Sequence, residues 1–84
     1  MSKELLSLKN VGKATLGDLQ LLGINNIDQL KKQNPDHLYA KLQMITGIKQ
    51  DPCVWDVFAA IIHEAKTGEK LPWWHWSKIR KNNR

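Results

Sequence analysis

Apolar residues along this chain recur at helical spacing. Leu16, Leu19 and Leu22 fall at i, i+3 and i+6, and Leu38, Leu42 and Ile45 at i, i+4 and i+7. Val54, Phe58, Ile61, Ile62 and Ala65 make a third apolar face. Strand-like alternation is nearly absent. Boundary signals agree with the periodicity. Ser2 is placed to cap a short segment over 2–8 that carries Leu5, Leu6 and Leu8. Lys9, Asn10, Val11 and Gly12 read as a turn, since Asn and Gly best tolerate left-handed backbone. A helix over 13–22 is stopped by Gly23, and Asn26 caps a short one carrying Ile27 and Leu30. Asn34-Pro35 and Asp51-Pro52 each pair a capping side chain with a proline suited to a first helical position. Gly47 and Gly68 close the two helices that follow. The pattern predicts an all-α domain of about five short helices and no sheet.

A weak internal repeat lies over this pattern. Leu8 to Gly12 parallels Ile45 to Lys49, each with two apolar residues three apart around a turn former. Leu16, Leu19 and Leu22 then answer to Trp55, Phe58 and Ile61. The expected architecture is two helix–turn–helix pairs joined by a short connector helix. Gly17, inside the second helix, lowers helix stability by about 1 kcal/mol, and close helix–helix packing is the expected reason for its presence.

The first turn carries the clearest chemistry. A tight turn feeding a helix leaves the first backbone N–H groups without partners. Those of Gly12, Lys13 and Ala14 would point outward at the positive end of the helix dipole, which suits a phosphate. Lys9 and Lys13 flank the position, and Gly12 has no Cβ to keep a phosphate oxygen away. Such contacts read no bases, so binding would be indifferent to sequence and sensitive to salt. An ordinary turn glycine is the competing reading of Gly12.

The segment LKNVGKATLGDLQLLGI, Leu8 to Ile24, resembles the helix-hairpin-helix motif of DNA repair and recombination proteins. Leu8 and Val11 match its hydrophobic anchors, Gly12 its second glycine, and Gly23-Ile24 its end; Asn10 stands where the first glycine belongs. Ala14 stands where the family often has a basic residue. A second hairpin is suggested at Gly47, Ile48 and Lys49, but Lys49 replaces a glycine there. With the NVGKAT turn, the LLGI end, the DPCVWDVF helix start and the LPWW tail, nearly the full length is similar to a small bacterial family of pathogenicity-locus or mitomycin-resistance-type helix-hairpin-helix proteins. That resemblance implies a non-enzymatic, DNA-associated protein whose phosphate contacts are Lys9, Asn10, Val11, Gly12, Lys13 and Ala14.

Charge adds a second candidate surface. Residues 1–70 carry nine basic and eight acidic groups, whereas residues 71–84 carry Lys78, Arg80, Lys81 and Arg84 and no acid. Most of the net +5 therefore sits in the tail, beside Trp73, Trp74 and Trp76. The chain divides into a helix-hairpin-helix domain over 1–70 and a basic, Trp-rich tail over 71–84, packed on it or partly free. If the tail is helical, Trp73, Trp76 and Arg80 share one side. Three readings are open: the rings enlarge the core; they stack on single-stranded bases while Lys78, Arg80 and Lys81 meet phosphates; or they anchor a protein partner or a membrane interface.

Other chemistry finds little support. At 84 residues the core is small and a deep catalytic pocket is hard to build, so no enzyme is expected. His37, His63, His75 and Cys53 show no structural-zinc spacing, the NVGKAT string lacks the P-loop spacing, and no metal or cofactor is expected. Asp51, Asp56, Glu64 and Glu69 read as a helix cap and solvated faces. Cys53 is the single cysteine, which excludes an internal disulfide. The longest apolar run, Val57 to Ile62, is too short to span a bilayer, so a cytoplasmic protein without a membrane partner is expected. Taken together, these features point to a tandem helix-hairpin-helix, SAM-like bundle that binds DNA without sequence preference, as an accessory in repair. The alternative is a SAM-like protein-interaction module without DNA binding.

Overall fold

A computed structural model describes residues 5–82 of the chain, all of them helical or irregular, with no strand among them. The helices are α1 (Lys13–Leu21), α2 (Ile27–Lys31), α3 (Pro35–Thr46), α4 (Pro52–Thr67) and α5 (Trp74–Asn82). Leu5 and Leu6 are also helical. The expected start at Ser2 lies outside the described residues, and the fifth described helix is instead the tail. None of these helices is long and apolar enough to cross a membrane.

Local chemistry sets most of the ends. The side chains of Asn26, Asn34 and Asp51 accept backbone N–H groups from Gln29, Asp36 and Cys53, capping α2, α3 and α4. Pro35 and Pro52 open their helices. Gly47 and Gly68 end α3 and α4 with φ of 68° and 79°, a conformation that a Cβ disfavours. The cap at Asp51 has an electrostatic consequence. The Cys53 N–H holds the Asp51 carboxyl below its ordinary range. Its contribution to stability is therefore present at neutral pH and is lost as pH falls through that lowered value. The same carboxylate pushes the Cys53 thiol up, which disfavours a nucleophilic thiolate.

Helix α4 is the centre of the bundle and packs against α2, α3 and α5. Phe58, Ile61 and Ile62 from α4 join Leu5, Leu8, Val11, Leu19, Leu22, Ile24, Leu30, Leu38 and Leu42 in one buried cluster. Polar contacts stitch α3 to α4: Trp55 Nε1–H donates to Asp36 Oδ1 at 2.7 Å, and the Tyr39 hydroxyl donates to the Gln50 carbonyl. The suggested repeat holds for the helices and fails for the turns. Leu16 and Trp55 are half-buried, Leu19, Phe58, Leu22 and Ile61 are buried. Leu8 and Val11 are buried too, whereas Ile45 and Ile48 are exposed. The expected inward role of Ile45 is thus corrected: the last turn of α3 projects past the bundle.

Two expectations about glycine and asparagine are also corrected. No residue in the first turn is left-handed; Gly12 has φ −106° and ψ −171°. No neighbour crowds Gly17, since a Cβ built there meets nothing within 4 Å. Gly17→Ala is therefore expected to raise stability by about 0.5–1 kcal/mol, read as a higher urea midpoint at constant m-value.

Candidate nucleic-acid interface

The first turn is fixed at both its apolar and polar positions. Leu8 and Val11 sink into the core, and the Val11 N–H donates to the Leu8 carbonyl at 3.2 Å. The backbone N–H of Lys9 donates to Glu64 Oε1 at 3.0 Å, so the buried Glu64 on α4 receives the turn. The Asn10 side-chain amide donates to the Leu71 carbonyl at 2.8 Å, tying the turn to the start of the tail. Asn10 thus holds the tail through its side chain and leaves its backbone to the turn.

Beyond these anchors the chain turns outward. Gly12, Lys13 and Ala14 are exposed, as is Lys9. Gly12 is the N-cap of α1, with no side-chain capping bond, and the first turn of α1 contains no acid. Helices α2 and α3 differ, each having an asparagine cap and an aspartate in the first turn. The N–H groups of Gly12, Lys13 and Ala14 have no hydrogen-bond partner among the described residues. Neither sterics nor backbone conformation requires a glycine at position 12, because its Cβ space is open and its φ suits any residue.

At the second turn, Gly47, Ile48 and Lys49 are exposed. The helix that follows is capped by its own carboxylate, Asp51 Oδ1 accepting from the Cys53 N–H at 2.9 Å. An anion approaching that helix end would meet negative charge, so this turn is poorly built for phosphate.

The tail residues divide between inward and outward roles. Arg80 turns inward: its Nε–H donates to Asp56 Oδ1 at 2.9 Å and its Nη2–H to Oδ2 at 3.0 Å. The Ser77 hydroxyl donates to the same carboxylate. Asp56 is fully buried, and its carboxylate holds the Arg80 guanidinium above its ordinary pKa. Trp76 is half-buried, its ring 5.2 Å from His63 and 4.9 Å from His75. Trp73 and Trp74 stay 37% and 52% exposed, with Lys78 Nζ 5.2 Å from the Trp74 ring centroid and Lys81 exposed. An open cleft of about 470 Å³ lies between α5 and the start of α4, lined by both rings and both lysines.

Asp56 and Glu64 correct the expectation of solvated acidic faces, for both are buried. Their position among the apolar residues of α4 was the available signal: an acid in such a face requires a donor from elsewhere. Their partners lie at 24 and 55 residues' separation. Asp51 is the cap it was expected to be, and Glu69 is exposed, with His63 at 2.7 Å.

Comparison with known proteins places the chain in a family. Residues 1–82 match the family described as "Pathogenicity locus" (Cdd1), and the chain belongs to it. A relative from Streptomyces lavendulae, named mitomycin resistance protein McrB, is 32% identical over 78 residues, covering 93% of this chain and 74% of that protein. No solved structure matches the chain.

Proposed function

We propose that this protein binds the DNA backbone without sequence preference, through the turn at the N-terminus of α1. The observation that carries the reading is the uncapped start of α1, exposed between Lys9 and Lys13. Free N–H groups and the helix dipole favour an anion there, and the neighbouring lysines add long-range attraction. The resemblance of Leu8 to Ile24 to helix-hairpin-helix segments supports DNA as the anion's source and a repair-related accessory role. On this reading the protein is a cytoplasmic binding module and not an enzyme.

Gly12→Asp is the direct test. The structure accepts the substitution, since the Cβ site is open and aspartate is a favoured N-cap. Stability should stay level or rise by a few tenths of a kcal/mol. Duplex affinity, read by fluorescence anisotropy at low salt, should fall about tenfold or more, as a carboxylate fills the phosphate position. Wild-type affinity in the folded variant would refute the turn as the site.

A SAM-like protein contact is the second reading. Its specific support is Met44 and Ile48, 83% and 64% exposed, beside Ile45 at the end of α3. Met44→Lys with Ile48→Lys should abolish a protein contact there and leave duplex binding intact.

A further inference from the structure

We propose that the cleft between α5 and the start of α4 binds single-stranded DNA by base stacking on Trp73 and Trp74. The surface is separate from the turn at α1, and only the choice of DNA over RNA rests on the preceding reading. Three observations converge on it. The first is exposure: two large rings remain in water while Trp76, two residues further on, packs against His63. The second is shape. The rings line a concave cleft of about 470 Å³ together with Pro52 and Cys53, where a flat base can enter. The third is charge. Trp74, Lys78 and Lys81 fall at i, i+4 and i+7, one stripe of α5, and no acid occurs in residues 71–84.

The lysines supply what a phosphate backbone needs. Lys78 lies over the Trp74 ring, so cation and aromatic face meet a ligand together. Arg80 contributes no free charge, because Asp56 holds it. Asp51 at the rim is engaged by the Cys53 N–H. A membrane anchor would instead present its rings on a projecting apolar face; here they line a recess with a cation across one of them.

The test is titration of the full-length protein with a twelve-residue oligothymidylate, followed by tryptophan fluorescence. Quenching is expected, and an abasic oligomer of equal length and charge should bind far more weakly. Trp73→Ala and Trp74→Ala, at exposed positions, should keep the wild-type circular dichroism and melting curve while each loses about five- to hundredfold in affinity. Lys78→Gln with Lys81→Gln should reduce the slope of log K against log salt by about 1.4. Gly12→Asp should leave the oligothymidylate titration unchanged. The cleft is refuted by any of three results: alanine variants that bind like wild type, equal binding of the abasic oligomer, or loss of oligothymidylate binding in Gly12→Asp. Uptake on anionic phospholipid vesicles without oligonucleotide binding would assign the rings to a membrane and overturn the proposal. Tighter binding of oligouridylate would overturn the choice of DNA.

Discussion

Phe58→Ala should leave this protein barely folded at room temperature. Phe58 sits on α4 with no exposed surface, in the cluster that also holds Leu19, Leu30, Leu42 and Ile61. Truncating a fully buried phenylalanine removes its transfer free energy and leaves a cavity, together about 3–5 kcal/mol. A chain of 84 residues has a total stability of roughly 4–13 kcal/mol at about 0.05–0.15 kcal/mol per residue. The loss is therefore a large share of the whole. Helix α4 meets α2, α3 and α5, so the void cannot be closed by the shift of one neighbour. Urea denaturation followed by circular dichroism should show a much lower midpoint. Val54→Ala, at a half-buried position on the same helix, should cost clearly less. A Phe58→Ala loss below about 1 kcal/mol would show that the core is not organised around α4.

Elements set by neighbouring residues were legible in the sequence. Asn34-Pro35 and Asp51-Pro52 mark helix starts because a cap and its N–H lie two residues apart. Gly47 and Gly68 mark ends because the left-handed conformation is a property of one residue. Features set by distant partners were not legible. Residues 74–82 mix tryptophan, histidine, serine, lysine and arginine, and their helix is docked by Asp56, 24 residues before Arg80. The role of Asn10 depends on a carbonyl 61 residues away. Ile45 keeps the periodicity of α3 and still faces water, because periodicity says nothing about where the neighbouring helix stops. For the candidate sites, the exposed turn at Gly12 followed from local pattern, while the split between inward Arg80 and outward Lys78 and Lys81 required the packed structure.

That split makes Asp56 the point at which stability and the tail surface meet, and Asp56→Ala should uncouple α5 from the bundle. The carboxylate is fully buried and accepts three hydrogen bonds, two from Arg80 and one from Ser77. Removing one partner of a buried pair leaves the other charge unmatched, at a cost of about 3–5 kcal/mol. The side chain of Arg80 is still 16% exposed, so it can partly recover water, and the lower end of that range is expected. The loss should fall on α5 first, seen as faster hydrogen exchange over residues 74–82 than over α4. Pairing Asp56→Leu with Arg80→Met removes both charges, and should restore most of the stability lost by Asp56→Ala. The two surfaces give the functional reading. The turn at Gly12 is held by Leu8, Val11 and the Glu64 contact, none of which involves Asp56. Asp56→Ala should therefore weaken oligothymidylate binding about tenfold or more, as the rings and lysines lose their shared orientation, with duplex binding changed far less. Equal loss of both activities in a variant that remains folded would mean that tail and turn act as one surface. A variant with wild-type exchange across residues 74–82 would show that the Asp56–Arg80 pair does not hold the helix.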